Sequence, residues 1–207
     1  LNPMINAGAI ASTSLVRAPS PEAQWQLIEK SLSRFVGRQV AIDEAVYRSE
    51  SATGARNRAI AWMLKNFGII EGDPMLPLEN YFRQCSVQIS CHDLAYMAAT
   101  LGNAGVHPLT GELALPAEHV APVLSVMATC GMYDYAGEWA YTIGIPAKSG
   151  VGGGIVGMIP GIGGLAVYSP RLDKHGNSVR GIRVFEELSQ EFDLHVFDRD
   201  QPWNQTN

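Results

Sequence analysis

Apolar positions recur with helical period up to about Gly144, and glycine-interrupted β-type runs follow. Residues 6–17 are alanine-rich with no breaker after Gly8, and the Pro19/Pro21 pair stops them, which predicts a helix. Ser20 is placed to cap a second helix, with Pro21 in its first turn. Across 22–36, Trp25, Leu27, Ile28, Leu32, Phe35 and Val36 fall at helical spacing before Gly37. Asp43 is expected to cap a short helix to about residue 48. A longer one over 52–67 carries Ala59, Ile60, Met63, Leu64 and Phe67 on one face and closes at Gly68. Further helices are expected over 78–84, over 91–103 behind a Ser90 cap, from Pro116 to 130, and over 132–142.

Beyond Gly144 the pattern predicts a hairpin, 155–159 and 165–168 around a turn at 160–164. A turn at 172–177 and a final helix over 179–191 follow, and 198–207 is polar enough to expect a mobile tail. Two strands do not make a stable sheet by themselves. The class expected is therefore mixed α/β (α+β): a helical block, then a C-terminal antiparallel hairpin and final helix of an incomplete sheet, all in one domain over 1–207.

Composition narrows the function. The 207 residues are 46% hydrophobic, enough for a buried core, and carry a formal charge of −5 with no basic run, which argues against a nucleic-acid partner. No apolar run reaches the ~18 residues of a membrane span. Cys85, Cys91 and Cys130 are too few for a disulfide framework or a zinc site, and each is read as a small buried hydrophobe. Their odd number suits a reducing, cytoplasmic setting. The five histidines show no metal spacing, so neither metal nor cofactor is expected; His92 beside Asp93 is read as helix N-terminal chemistry. Gly152-x-Gly154-x-x-Gly157 fits a dinucleotide fingerprint only if it opens a helix, and the residues after it read as a strand and a turn.

The densest chemistry lies at 146–154, Pro-Ala-Lys-Ser-Gly-Val-Gly-Gly-Gly. Lys148 and Ser149 present a charge and a hydroxyl, and the glycines let a backbone N–H approach a reacting carbonyl. Lys-[Ser/Thr]-Gly also occurs in the penicillin-recognising serine enzymes. Upstream, Asn2 and Asn6 flank Pro3-Met4-Ile5. Glu50 and Asn57 stand seven apart, two turns on one face if their helix is continuous. Tyr81 and Tyr133 sit in polar surroundings. Each has an ordinary explanation taken alone: Asn6 as a helix cap, Glu50 as a cap or a partner of Arg48, the tyrosines as half-buried aromatics.

Together they form an ordered set. Asn-Pro-Met-Ile-Asn-Ala-Gly-Ala-Ile (2–10), Tyr-Arg-Ser-Glu-x-x-Thr-Gly-x-Arg-Asn (47–57), Tyr-Phe-x-Gln-Cys-Ser (81–86), Cys-Gly-Met-Tyr-Asp (130–134), Pro-Ala-Lys-Ser-Gly-Val-x-Gly-Gly (146–154) and Asp-Lys-x-Gly-Asn-Ser-Val (173–179) occur in that order. In this the chain resembles the serine-dependent glutaminases, which share the β-lactamase fold. The resemblance implies hydrolysis of L-glutamine to L-glutamate and ammonia, without cofactor, by a protein that is commonly a homo-oligomer. It further implies that Asn6 contacts substrate, that Glu50 and Asn57 hold the amino-acid head of glutamine, and that Tyr81 and Tyr133 are active-site tyrosines. Val151 would lend its backbone N–H to an oxyanion hole, with Lys148 in support. The residue types suit a zwitterion, which needs an anion for its ammonium and neutral donors for its carboxylate.

One departure is plain. The family nucleophile lies in Ser-x-x-Lys, and no serine here is followed by lysine at that spacing; Ser14-Leu-Val-Arg17 comes nearest, and arginine does not serve as the base. The sequence is therefore expected to be the later part of a longer protein, inactive alone, whose nucleophile lies upstream. Two alternatives stand beside this: another penicillin-recognising serine hydrolase, and a non-catalytic interaction protein that has lost its nucleophile.

Overall fold

The computed structural model describes residues 2–198, so all but the first residue of the expected tail lies outside the described residues. They gather into two compact units, one made of Arg38–Ile89 with the residues before Arg34, the other of Arg34–Gly37 with the residues from Ser90 onward.

In the first unit, α1 (Asn6–Ser14) and α2 (Pro21–Val36, whose last turn counts with the second unit) precede α3 (Glu44–Thr53), α4 (Ala55–Asn66) and α5 (Met75–Cys85). Short strands β1 (Ala41–Ile42) and β2 (Val87–Gln88), absent from the sequence expectation, pair antiparallel with Ala41 opposite Gln88. Asp43 caps α3, its carboxylate accepting the Ala45 and Val46 N–H groups at 2.9 and 3.1 Å. Helix α1 packs on α4 and α5, and α3 on α5, around buried Ile10, Ala61, Ile70, Leu78 and Phe82.

The helix expected over 52–67 starts later, and the one begun at Asp43 runs on to Thr53. Gly54 separates them. A Cβ there would stand 2.4 Å from Phe82 Cζ and 2.7 Å from the Glu50 carbonyl oxygen, so the two helices meet Phe82 only because this residue has no side chain. Arg58 bridges the break, donating to the Ser51 carbonyl with its guanidinium over the Phe82 ring, 5.8 Å from the centroid. Glu50 and Asn57 therefore lie on different helices, which corrects the reading of two turns on one face.

The second unit holds α6 (Cys91–Gly102), α7 (Val120–Cys130), α8 (Ala136–Thr142) and α9 (Val179–Glu191), with short 3₁₀ turns at Ala117–His119 and Tyr133–Tyr135. Ser90 and Asp93 form a reciprocal capping box at the start of α6, as the His92–Asp93 pair suggested. Beside these helices lies an antiparallel sheet in the order β3-β4-β5: β3 (Ala147–Ser149), β4 (Gly154–Ile159) and β5 (Gly163–Tyr168). The hairpin thus gains a third strand at the Lys-Ser-Gly motif, with Lys148 opposite Val156. Gly154 opens a strand rather than a helix, which removes the dinucleotide reading.

The second core is buried Met132, Trp139, Ile143, Ile145, Ala147, Ile155 and Phe185, packed between the sheet, α8 and α9. The Trp139 indole N–H donates to the Ile145 carbonyl at 2.7 Å, satisfying the one polar atom of a side chain whose truncation would cost about 3–5 kcal/mol. Among the described residues no helix is long and apolar enough to cross a membrane.

Candidate active site

The residues singled out by the motifs fall into one set on each unit. In the first, Asn6 is the opening residue of α1, preceded by an Ile5 cap that makes no side-chain bond. Its amide is not a cap. It donates from Nδ2 to Asn57 Oδ1 at 2.7 Å, joining the first and second motifs across 51 residues. Asn57 is buried at 9% exposure on α4, while Asn6 is exposed. A buried carboxamide whose oxygen is held by a second amide keeps its own N–H₂ aimed in a fixed direction. Asn2 has the plainer role, its side chain accepting the Met4 N–H at 2.8 Å in the turn before α1.

Glu50 is half-buried in the body of α3, which excludes a capping role, and it makes no ion pair with Arg48. Its carboxylate lies close enough to Cys85 to act on the thiol, and Tyr81, one turn before Cys85 on α5, hydrogen-bonds the same sulfur. Burial pushes the Cys85 thiol up; the Tyr81 hydrogen bond opposes this and the Glu50 charge adds to it. Glu50, Tyr81 and Cys85 therefore form a second polar group on the unit that carries the Asn6–Asn57 pair.

Cys85 corrects the sequence reading. It is exposed as a residue although its sulfur is crowded, and Cys91 and Cys130 are half-buried, so none of the three is a fully buried hydrophobe. The signal available in the sequence was the four-residue spacing of Tyr81 and Cys85 across the end of the helix expected over 78–84, which in the structure runs on to Cys85.

In the second unit Tyr133 follows α7 with φ of +56°, a left-handed conformation that a tyrosine adopts only when its surroundings impose it. Three contacts surround the ring. The Val151 backbone N–H bonds the phenol oxygen and lowers its pKa, while burial, the larger influence, raises it. Lys148 Nζ sits over the ring face, 4.5 Å from the centroid. The turn at Gly176 lies against both Tyr133 and Val151. Lys148 also donates to the Ser149 carbonyl, and burial lowers its pKa to about 8. Val151 itself is exposed, at 71%, in the turn between β3 and β4. Lys148, Tyr133 and Val151 thus meet at one place. An ammonium of lowered pKa, a phenol and a backbone donor can together bind an oxyanion or pass a proton.

A family model described as Glutaminase matches residues 1–197. This chain belongs to the glutaminase family. It is 56% identical over 96% of its length to Glutaminase 1 of Bradyrhizobium diazoefficiens, covering 32% of that protein, and 52% identical over 95% of its length to the Glutaminase of a Nostoc species, covering 59%. The chain therefore spans about a third and about three fifths of these two relatives. Among solved structures, it matches the Bacillus subtilis glutaminase YbgJ, captured as a covalent complex with 5-oxo-L-norleucine formed by reaction with 6-diazo-5-oxo-L-norleucine. That match has a TM-score of 0.91 at 34% identity and covers 95% of this chain and 70% of the other. The β-lactamase-like α+β fold expected from the motifs holds for this glutaminase-family chain.

Proposed function

We propose that the whole protein hydrolyses L-glutamine to L-glutamate and ammonia through a serine acyl-enzyme. The observation that carries the reading is the Asn6–Asn57 amide pair at 2.7 Å, which brings two separate motif residues into contact on a chain of this family. A carboxamide fixed in this way suits the α-carboxylate of glutamine, and the half-buried Glu50 beside Tyr81 suits the ammonium. Val151 N–H, with Tyr133 and Lys148, would face the oxygen that becomes negative when a serine hydroxyl adds to the side-chain amide. Ammonia leaves with the serine proton, and water then releases glutamate from the ester.

The nucleophile is assigned to a Ser-x-x-Lys outside these 207 residues, none of whose serines has that neighbour. Both units are taken to serve one catalytic domain, in a cytoplasmic homo-oligomer needing neither metal nor organic cofactor. The covalent complex of the Bacillus subtilis relative supplies the test. Treating the whole protein with 6-diazo-5-oxo-L-norleucine and mapping the adduct by mass spectrometry should find it on a serine with lysine three residues on. An adduct on any serine of this chain would overturn the assignment, and unimpaired glutaminase activity after chelation and dialysis is expected.

A further inference from the structure

The motif at 173–179 has no part in the chemistry above, yet it lies against the second set of site residues. Asp173 organises it: one carboxylate oxygen accepts the His175 and Asn177 N–H groups at 2.8 and 2.9 Å, and the Asp173 N–H donates to the Asn177 carbonyl at 2.8 Å. Ser178 then caps α9. Gly176, at φ +90°, is the point of contact; a Cβ there would stand 3.7 Å from Val151 Cγ1 and 3.9 Å from Tyr133 Cε2.

Asn177 is fully buried, and only one end of its amide is used. Nδ2 donates to the Met132 carbonyl at 3.4 Å, while Oδ1 is buried with no hydrogen-bond partner among the described residues. An orphaned buried oxygen is unfavourable, and a leucine of similar size would avoid it. The donor end must therefore matter. The carbonyl it holds belongs to the residue before Tyr133, where the backbone turns left-handed. From β3, the Ser149 N–H holds the Gly131 carbonyl, one residue earlier, at 3.0 Å.

We infer that Asn177 is a positioning residue for Tyr133: its amide, set by the Asp173 turn, pins the Met132 carbonyl and fixes the corner that brings the phenol to the Val151 N–H. This rests on the glutaminase reading of Tyr133 and Val151. In the whole protein, Asn177→Leu removes the donor together with the orphaned oxygen. Its melting temperature should be held or raised, while kcat/KM falls roughly 10–100-fold, the scale of a small misplacement at a reacting centre. In a Tyr133→Phe background the same substitution should cost less than about threefold, because residues acting through one contact are not additive. Equal losses in both backgrounds, or no loss in either, would overturn the inference.

Should Asn177→Leu fail to fold, Asp173→Ala and Asp173→Asn decide. The asparagine keeps an oxygen for both N–H groups and should retain activity that the alanine loses; identical behaviour would count against the clamp. If the unsubstituted protein releases no ammonia from glutamine, the glutaminase reading falls separately. Nuclear magnetic resonance of carbon-labelled tyrosine then tests positioning alone. The Tyr133 phenol, raised by burial and held back by the Val151 N–H, should titrate still higher in Asn177→Leu as that hydrogen bond is lost, and an unmoved titration would refute the clamp.

Discussion

Glu50 shows what a single residue gains from its place in the fold. Held within α3 and half-buried, its carboxylate has no ion-pair partner among the described residues. A charge kept in that state is available to a ligand cation. Glu50→Gln should raise the KM for glutamine roughly 10–100-fold, the scale of losing a hydrogen bond to a charged group, ~1.5–3 kcal/mol. The melting temperature should hardly move, since no ion pair among the described residues is lost. A large drop in melting temperature with an unchanged KM would make Glu50 structural. Lys148 offers a pH test. Burial lowers its folded pKa to about 8, from an ordinary 10.5. Below pH 8 both states hold the proton and the cost of burying the charge is fully present. Between 8 and 10.5 the unfolded chain holds more protons, so stability rises with pH through that window. Compared with Lys148→Met by urea unfolding at about pH 7.5 and 9.5, the unsubstituted protein should gain on the order of 1–2 kcal/mol at the higher pH, after a discount for the part-exposed stem. A flat difference would mean that Nζ is solvated.

Among the elements, the break between α3 and α4 decides how Glu50 and Asn57 are presented. Gly54→Ala would bring a Cβ into Phe82 and the Glu50 carbonyl, where no room exists. The expected cost is ~1–3 kcal/mol of stability by denaturant unfolding, with a raised KM as both site residues shift. A variant as stable and active as the parent would show that the helices are free to part. The same break marks where the sequence was legible and where it was not. Periodicity and caps located α2 and α6 well, because their start signals, Ser20-Pro21 and Ser90 with Asp93, act within a few residues, and the apolar pattern alone located α9. Gly54 reads as a tolerable glycine inside a helical run, since its constraint comes from Phe82, 28 residues later. The two-residue strands β1 and β2 escaped for a like reason, as a pair this short has no period to detect. The resemblance pointed to Asn6 and Asn57 from separate motifs, and only the folded chain joins their amides. Asn177 could be quoted as part of a motif and given no role, because its partner is a backbone carbonyl 45 residues away.

For the whole molecule, two independent features bear on what these 207 residues can do alone. The first is chemical: without a serine followed at three residues by lysine, the activated nucleophile of the proposed reaction is missing from them. The second is architectural. In the order β3-β4-β5, strand β5 pairs with β4 on one side only, among the described residues. Its Leu165, Val167 and Tyr168 are at most half-buried, and Tyr168 is 64% exposed. A β-branched and aromatic edge of this kind invites pairing with another chain. Residues 1–207 expressed alone should therefore release no ammonia from glutamine and should self-associate, whereas a longer chain that carries the proposed Ser-x-x-Lys segment should be active. Ammonia release and size-exclusion chromatography, run on both, test the two features separately. Activity in a monomeric 207-residue chain would remove the assignment of the nucleophile elsewhere. An inactive but monodisperse monomer would leave the chemistry standing and show that the β5 edge needs no cover.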